Sequence, residues 1–334
     1  MKVLITGGAG YIGSTICCAL EDKGHTPVIL DSLVMGRLEY TRNRIFYKGD
    51  ICDNNLLDQI FEDHKDIECV IHCAALIVVP DSMKDPYEYY KENVNKSIGL
   101  FKKLEELGCK KIVFSSSASV YDDVDDFEVK EDSPLNPRSP YARSKYMIEM
   151  VLEDYCRAYG IKGISLRYFN VIGAEPQMRT GGYLKSPSHV LAKLLNVANG
   201  IEDVFKVTGV NWPTRDGSGL RDYIHVWDLA QAHVCALEEM DQVFSNKNDN
   251  TYMPINLGTG KGVTVREMLA AFERVHGPIN QRDTEPRPGD IPGAFANVDR
   301  AKDLIKWTSH LSIEQGIQHA LDWDKIRESK IEIL

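Results

Sequence analysis

The chain has 334 residues, of which 43% are hydrophobic and 26% are charged, a composition typical of a globular protein of about two domains. This composition excludes a disordered chain, a collagen and a coiled coil. The 49 acidic and 39 basic residues give a formal net charge of −10. A net charge of this sign repels nucleic acid and anionic membranes, so we expect neither as a partner.

The eight cysteines form no Cys-x-x-Cys pair and have no companion histidine spacing, so we expect no metal site. No apolar run approaches the roughly 18 residues of a membrane span, and the N-terminal residues lack a signal-peptide layout. We therefore expect a cytoplasmic protein with reduced thiols.

The first half of the chain alternates short apolar runs with helical patterns. This alternation predicts an α/β fold with a doubly wound parallel sheet (Rossmann type), covered by helices on both faces. The predicted strands are residues 3–6, 27–30, 44–48, 69–72, 111–115 and 162–167. The predicted helices are residues 11–23, 55–63, 87–107 and 142–159.

After about residue 170, loops rich in glycine and proline become frequent. Helical patterns remain at residues 189–199, 265–275 and 313–328. Residues 223–239 and 252–258 have strand or helix patterns that fit a return to the first sheet. We therefore expect a first domain over residues 1–175, with return segments near 222–240 and 252–258. Residues 176–334 are expected to form a smaller C-terminal α/β lobe.

A glycine-rich turn, GGAGYIG at residues 7–13, follows the first predicted strand and opens a helix. In a dinucleotide-binding turn the first glycine permits the tight bend, the second lets the backbone approach a pyrophosphate, and the third allows close helix packing. The pyrophosphate is expected at the positive end of the helix. The candidate cofactor residues here are Gly7, Gly10, Tyr11, Ile12 and Gly13.

Two acidic positions extend this candidate site. Asp31 ends the second predicted strand, 18 positions after Gly13. A carboxylate there accepts the ribose 2′-hydroxyl and repels a 2′-phosphate, so it favours NAD over NADP. Asp50 and Ile51 follow the third strand and are candidates to flank the adenine, with an ordinary Gly-Asp turn as the alternative.

Tyr141 and Lys145 are four residues apart near the start of a predicted helix, so their side chains share one face. A nearby ammonium favours the phenolate form of a tyrosine. Serines at residues 115–117 end a predicted central strand, where open α/β sheets bind their ligands. A second pair with the same spacing, Tyr87 and Lys91, lacks such a hydroxyl cluster and is interpreted as a packed ring beside a solvated lysine.

The chain resembles the extended short-chain dehydrogenase/reductase group and, within it, the UDP-glucose (UDP-galactose) 4-epimerases. Three matching motifs are shared across the wider group, and three point more narrowly to nucleotide-sugar epimerases. The shared motifs are TGGAGYIGS at 6–14, FSSSASVY at 114–121 and SPYARSK at 139–145. The narrower ones are LRYFN at 166–170, RDYIHVWD at 221–228 and PRPGD at 286–290.

The resemblance implies a role for each matched residue. Tyr141 is implied as the general base and acid on the sugar O4, with Ser117 as its hydrogen-bonding partner and Lys145 on the nicotinamide ribose. The further residues implied for NAD are Ala74, Ala75, Asn93, Ser115 and Tyr168. The residues implied for the substrate are Asn170, Ala294 and, around the UDP portion, His189, Arg221, Arg287 and Asp290.

The implied activity interconverts UDP-glucose and UDP-galactose through transient oxidation at C4 with bound NAD. Related dehydratases typically carry an Asp-Glu pair where this chain has Ala118 and Ser119, so epimerisation without elimination is favoured. Two alternatives stay open. One is an epimerase of another nucleotide sugar, such as a uronic acid or a pentose, and the other is a non-catalytic NAD-sensing protein of the same fold.

Three positions depart from the family pattern. Ile77 replaces a frequent lysine near the cofactor, and Asp122 replaces a glycine, where aspartate tolerates a left-handed backbone. Ala294 stands where a bulky tyrosine is associated with exclusion of N-acetyl sugars, so some activity on UDP-GlcNAc is expected. The family also suggests a homodimer that pairs the helices at 87–107 and 142–159 with their mates.

Overall fold

The fold is described from a computed structural model over residues 1–183, 189–245, 251–286 and 291–331. The strands are β1 (Lys2–Thr6), β2 (Thr26–Asp31), β3 (Ile45–Lys48), β4 (Ile67–His72), β5 (Lys111–Ser115), β6 (Glu128–Val129), β7 (Lys162–Tyr168), β8 (Asn170–Ile172), β9 (Phe205–Thr208), β10 (Leu220–Arg221), β11 (Tyr223–His225), β12 (Tyr252–Leu257), β13 (Val263–Thr264), β14 (Gln281–Thr284) and β15 (Gly293–Ala296).

The α-helices alternate with these strands in the first half of the chain and cover them. They are α1 (Tyr11–Asp22), α2 (Asn54–Asp63), α3 (Val79–Lys84), α4 (Pro86–Tyr89), α5 (Lys96–Glu106), α6 (Pro140–Tyr159), α7 (Val190–Ala198), α8 (Val226–Glu238), α9 (Met240–Val243), α10 (Val265–His276), α11 (Asp299–Ile305) and α12 (Ile313–Lys330). Among the described residues, none of the helices combines the length and apolarity needed to cross a bilayer.

Seven strands form the central sheet in the order β12-β7-β5-β4-β1-β2-β3. Every neighbouring pair in this sheet is parallel. The strand order reverses between β1 and β4, and ligands of doubly wound sheets bind at such a switch point, outside the carboxyl ends of the strands. The predicted doubly wound parallel sheet is confirmed.

Successive residues of β1 point to opposite faces of the sheet, as the pleat requires. Ile5 packs in a core that contains residues of α1 and α8. Leu4 packs in a second core that contains residues of α2, α5 and α6. Because both faces are covered, the strands are apolar throughout, and this made their sequence signal strong.

All six predicted strands are present, with ends that differ by two residues at most. The predicted helix at 87–107 is observed as α4 and α5 joined by a π-helical turn, Tyr90–Asn95. Residues 223–239 form β11 and α8, and residues 252–258 contain β12, which pairs in parallel with β7 at the edge of the central sheet. Strand β12 therefore joins the first sheet and α8 packs in the core on one of its faces, whereas β11 pairs with β8 in a separate two-stranded sheet.

The second half also builds a separate core from α7, α10 and α12, in which Leu194, Phe272 and Ile317 are fully buried. Its strands are short, and several of them pair with strands that are distant in the sequence. Strand β10 lies between β13 and β15, and β8 pairs with β11. Strands of two to four residues carry little hydrophobic period, so the sequence did not predict them.

Candidate active site

The glycine turn between β1 and α1 requires its glycines. Gly7 has a φ of +72°, and a Cβ atom on it would lie 2.7 Å from the backbone nitrogen of Ala74. A Cβ atom on Gly13 would lie 2.2 Å from the carbonyl oxygen of Gly7, a distance that real side chains do not tolerate. Gly10 donates its backbone N–H to the same oxygen at 3.1 Å. Only glycine therefore fits at positions 7 and 13, the tight-turn and helix-packing positions of a dinucleotide-binding turn.

Asp31 holds this turn in place. Its Oδ2 atom accepts the backbone N–H of Ala9 at 2.9 Å, and its Oδ1 atom accepts that of Leu33 at 2.8 Å. Burial raises the pKa of the Asp31 carboxyl above its ordinary value, and the two backbone hydrogen bonds act against that rise. Each carboxylate oxygen keeps a further lone pair for a ribose hydroxyl.

The other predicted residues of this region have partners within the protein. The Tyr11 hydroxyl donates to the carbonyl oxygen of Gly173 at 2.5 Å, and Ile12 packs against the core at the start of α1. Asp50 accepts a hydrogen bond from Lys96 Nζ at 2.5 Å. Burial acts to raise the Asp50 pKa, but its bonds with Lys96 and Cys52 leave the pKa below the ordinary value. Ile51 is buried, and contact with an adenine stays a prediction for both residues.

Asn93 lies in the π-helical turn and fixes the loop that follows β4. Its Oδ1 atom accepts the backbone N–H of Leu76 at 2.8 Å, and its Nδ2 group donates to the Leu76 carbonyl at 3.0 Å and to Ser144 Oγ at 3.0 Å. Ala74 and Ala75 lie in this loop, half-buried beside the glycine turn. Through these bonds Asn93 connects the loop to helix α6, which carries Tyr141.

Tyr141 lies in the first turn of α6, after the N-cap Ser139 and a proline at the first helical position. The centre of its ring is 6.0 Å from the Nζ atom of Lys145, one turn further along. Burial raises the pKa of Tyr141, while the hydrogen bond with Ser117 acts to lower it. The structure therefore brings the predicted Ser117, Tyr141 and Lys145 together.

Lys145 is 2% exposed, and its Nζ atom donates to the carbonyl oxygen of Ser115 at 2.9 Å. Burial lowers the pKa of this ammonium from 10.5 to about 8, although the charges of Cys73 and Glu149 favour the protonated form. An ammonium whose pKa lies near neutrality responds readily to a charge that develops beside it.

A buried histidine that the sequence analysis missed lies behind the serines. His233 Nδ1 lies 2.9 Å from the carbonyl oxygen of Leu229, so this nitrogen carries the proton. Its Nε2 atom then accepts the Ser115 hydroxyl at 2.9 Å. Burial lowers the pKa of His233 to about 4, which keeps the ring neutral at pH 7. Ser115 also forms a hydrogen bond with Tyr168, whose pKa burial raises.

A second missed group lies one turn beyond Lys145. Glu149 and Arg167 form a buried ion pair at 2.6 Å, and Glu149 also accepts the hydroxyl of Ser116. Arg167 Nη1 donates to the Tyr121 hydroxyl at 3.0 Å. This network connects α6 with the ends of β5 and β7. The sequence does not show that residues 149 and 167 pair, because they belong to different elements and no local pattern connects them.

The predicted substrate residues divide into two groups. Asn170 donates its backbone N–H to the Asp222 carbonyl at 3.0 Å, and the neighbouring Arg221 is in register with Ala294 across β10 and β15. His189 stands apart from them as the exposed N-cap of α7, where its ring accepts the backbone N–H of Ala192. Arg287 and Asp290 lie outside the described residues.

Arg221 and Ala294 occupy the wall of the second lobe. The Arg221 guanidinium donates to the carbonyl oxygens of Leu220 at 2.6 Å and Pro292 at 3.1 Å, and is half-buried. Ala294 packs with Phe169 against a small core beside the serine turn. Ala294 and Phe169, the residue after Tyr168, therefore pack against the same small core.

The departures from the family pattern have local explanations. Asp122 is absent from the residues with positive φ, so this position does not use the left-handed conformation that aspartate tolerates. Its carboxylate instead accepts hydrogen bonds from Arg138 at 2.8 Å and Asn136 at 3.1 Å. Ile77 is 57% exposed. Among the residues that the structure describes, no group of three or more His, Cys, Asp or Glu side chains is placed to hold a metal ion.

Comparisons with known proteins identify the family of the chain. Residues 3–253 match the model of the NAD dependent epimerase/dehydratase family. The UDP-glucose 4-epimerase of Halalkalibacterium halodurans is 39% identical over 97% of this chain and 96% of its own.

Solved structures lead to the same family. A UDP-glucose 4-epimerase from Stenotrophomonas maltophila, with bound NAD and formylated UDP-arabinopyranose, has a TM-score of 0.92 at 35% identity and covers 98% of this chain and 99% of that one. The enzyme from Bifidobacterium longum, in complex with NAD+ and UDP, has a TM-score of 0.89 at 31% identity, covering 99% and 100%. The resemblance inferred from the motifs is confirmed: the chain belongs to the NAD dependent epimerase/dehydratase family.

Proposed function

We propose that this chain interconverts UDP-glucose and UDP-galactose by inverting the configuration at C4 of the hexose. The observation that carries the proposal is the arrangement of Tyr141 beside Lys145 and Ser117 at the carboxyl end of a parallel sheet. The glycine turn, which has the sequence of a dinucleotide site, also follows the carboxyl end of a strand of this sheet, β1. A phenol, an ammonium and a dinucleotide are the parts needed to oxidise and reduce a secondary alcohol.

The residues present fit NAD. Gly7 and Gly13 are required by the tight turn and by close helix packing, because a Cβ atom on either would collide with the chain, and Gly10 leaves the backbone at the start of α1 open to a pyrophosphate. Asp31 offers a buried carboxylate to a ribose hydroxyl. Bound NAD supplies the hydride chemistry at C4 of the sugar. The protein supplies binding, orientation and proton transfer.

Tyr141 moves the proton. Its phenolate oxygen is proposed to take the proton from the sugar 4-hydroxyl and to return it to the same sugar oxygen after the sugar has presented its other face. Because burial alone raises the pKa of Tyr141, the phenolate needs Ser117 as a donor and the positive charge of Lys145 nearby. Lys145 is fixed by the Ser115 carbonyl, so its charge stays at one place during the reaction.

The UDP portion is assigned to the second lobe. Arg221 is proposed to bind a phosphate, since a guanidinium pairs with phosphate oxygens in bidentate fashion. We retain His189, Arg287 and Asp290 as proposed contacts of the nucleotide and Asn170 as a contact of the sugar. Accordingly, residues 1–175 with the two return segments form the proposed NAD-binding domain, and residues 176–334 the substrate-binding domain.

The competing functions lack support at specific positions. Elimination of water needs an extra acid beside the serine turn, and this chain has Ala118 and the exposed Ser119 there. A non-catalytic sensor has no need of the assembled Ser117, Tyr141 and Lys145.

A second substrate class is favoured by one observation, the small side chain of Ala294, which supports turnover of N-acetylated UDP-hexoses. Uronic acid and pentose sugars remain alternative substrates of the same chemistry.

Assembly and location are proposed from surface features. Helices α5 and α6 leave apolar side chains more than one third exposed, which supports the expected homodimer through these helices: Ile98, Met147, Met150 and Tyr159. All eight cysteines are free thiols, which supports a reducing, cytoplasmic location. Size-exclusion chromatography with light scattering tests the dimer.

The experiment that tests the function is incubation of the purified protein with UDP-glucose, with the product identified by NMR. We expect UDP-galactose at equilibrium and no net change in the redox state of the cofactor. Tyr141→Phe should lose about 10²- to 10⁴-fold in turnover, the usual contribution of a general acid–base group. Tyr146→Phe, on the same helix, is the matched control. Normal turnover by Tyr141→Phe would refute the assignment.

A further inference from the structure

Arg37 is a buried cation with unused hydrogen-bond donors. Arg37 is 7% exposed, and its Nη1 atom donates a hydrogen bond to the carbonyl oxygen of Gly36 at 3.2 Å. The Nε and Nη2 atoms are buried and have no hydrogen-bond partner among the described residues. These two groups form one edge of the planar guanidinium, the edge that binds two oxygens of one anion side by side.

This unused edge belongs to a residue anchored on the glycine turn. The backbone N–H of Arg37 donates to the carbonyl oxygen of Ala9 at 2.9 Å. A Cβ atom on the preceding Gly36 would lie 2.9 Å from the Ala9 Cβ atom and 2.7 Å from Asp31 Oδ1. Arg37 therefore stands next to the backbone against which the phosphates of a dinucleotide are expected to lie.

An aromatic ring holds the guanidinium in this position. The Cζ atom of Arg37 is 5.0 Å from the ring centre of Tyr183. The Tyr183 hydroxyl lies 3.7 Å from where a Cβ atom on Gly10 would stand, and it accepts a hydrogen bond from the backbone N–H of Tyr11, the first residue of α1. A guanidinium on an aromatic face keeps its edge free for an anion.

The protein does not supply that anion from the described residues. Asp31, at the end of β2, uses its two oxygens to accept the backbone N–H groups of Ala9 and Leu33. Among the described side chains, no ion pair with Arg37 is formed. Burying a cation without a partner is costly, and buried charges in proteins are normally paired or hydrogen-bonded.

We propose that the Nε–Nη2 edge of Arg37 binds the pyrophosphate of NAD, and that Tyr183 positions it for this contact. The inference rests on the proposed use of NAD. A 2′-phosphate, as in NADP, offers the same chemistry to a guanidinium. The pyrophosphate is favoured because Asp31 places a carboxylate at the ribose position and Tyr183 connects Arg37 to the start of α1.

The chain fixes Tyr183 from two sides, which makes the contact a rigid one. The Tyr40 hydroxyl donates to the carbonyl oxygen of Gly181 at 2.6 Å, and Trp323 Nε1 donates to that of Gly182 at 2.8 Å. The ring centres of Tyr40 and Tyr183 are 6.1 Å apart. Arg37 thus completes a stack that reaches from the C-terminal helix α12 to the cofactor turn.

The test measures retention of the dinucleotide by the purified holoenzyme, independently of turnover. Wild type, Arg37→Gln, Arg37→Lys and the exposed control Arg42→Gln are dialysed for increasing times, and the remaining nucleotide is released by acid and identified by chromatography. We expect Arg37→Gln to lose NAD about 10- to 100-fold faster than wild type, because a charge-assisted bidentate contact is lost. Arg37→Lys should be intermediate, and Arg42→Gln should match wild type.

Each outcome decides between the claims. Equal retention of NAD by wild type and Arg37→Gln would overturn the inference and leave the proposed function standing. If Arg37→Gln does not fold, as judged by circular dichroism, Arg37→Lys decides, and retention equal to wild type overturns the inference. Release of NADP would assign Arg37 to the 2′-phosphate instead. A wild-type protein purified without any dinucleotide, and unable to bind added NAD, would contradict the proposed function itself.

Discussion

Lys145 and Ser115 are joined by a hydrogen bond of 2.9 Å from the ammonium to the backbone carbonyl, although they belong to a helix and to a strand. This bond keeps a positive charge below the ring of Tyr141. The cost of placing the ammonium there is visible in its pKa, which burial lowers to about 8. The charge that serves the proposed reaction therefore also lowers the stability of the fold at neutral pH.

The first prediction concerns stability and pH. Lys145 releases its proton near pH 8 in the folded protein and near 10.5 in the unfolded chain. Between these values the unfolded chain binds more protons, so the free energy of unfolding rises with pH. Relative to Lys145→Met, the wild type should gain about 3 kcal/mol across this interval. Urea denaturation at several pH values checks this, and parallel curves for the two proteins would contradict it.

The second prediction concerns the pH dependence of turnover. The hydrogen bond from Ser117 lowers the pKa of Tyr141. Ser117→Ala should therefore raise that pKa and move the ascending limb of kcat/KM to higher pH, with a smaller loss of rate at alkaline pH than at neutral pH. Ser119→Ala is the control, since Ser119 contacts Ser117 and is exposed. An unchanged profile in Ser117→Ala would remove this serine from the proton-transfer step.

The third prediction compares a glycine-to-alanine change in the glycine turn with the same change inside a helix. Gly13→Ala places a methyl group 2.2 Å from the Gly7 carbonyl oxygen, so the turn must shift and NAD should be lost on purification. Gly99→Ala makes the same change inside α5, where the nearest atom is 3.8 Å away. That control should be neutral or stabilising by up to about 1 kcal/mol. Thermal unfolding and nucleotide content measure both effects.

The fourth prediction concerns sugar choice. Ala294 and Phe169 pack against the same small core, formed by Val120, Tyr121 and Val129. A tyrosine at position 294 should fill the space that an acetamido group needs. Ala294→Tyr is expected to lower kcat/KM for UDP-GlcNAc by at least 10-fold and to leave that for UDP-glucose within about threefold, since losing room for one small group is worth roughly 1–3 kcal/mol. Equal effects on the two sugars would show that this position does not gate the pocket.

The fifth prediction concerns the buried ion pair behind the site. Glu149→Gln leaves the buried Arg167 without its counter-charge, which should destabilise the protein by roughly 3–5 kcal/mol. Glu153→Gln on the same helix affects only an exposed pair with Arg157 and should change stability by less than about 1 kcal/mol. Urea denaturation compares the two variants. A loss of similar size in both would mean that burial of the pair has no special weight.

The sequence predicted the central sheet because its strands, such as Val3 and Ile5 in β1, are buried on both faces and form continuous apolar runs. It also placed Tyr141 and Lys145 on one helical face, since i and i+4 residues are neighbours on a helix. It did not predict His233 or the partner of Glu149. Their roles depend on which elements meet in space, and pairings between distant segments carry no local period.

Strand β12 completes the edge of the central sheet next to β7, although 83 residues separate the end of β7 from its start. During synthesis, β7 leaves the ribosome well before residue 257 is made. Its outer row of backbone donors and acceptors is therefore uncovered for that interval, and an unpaired strand edge invites association with other chains. Truncations that stop before β12 should consequently aggregate as nascent chains.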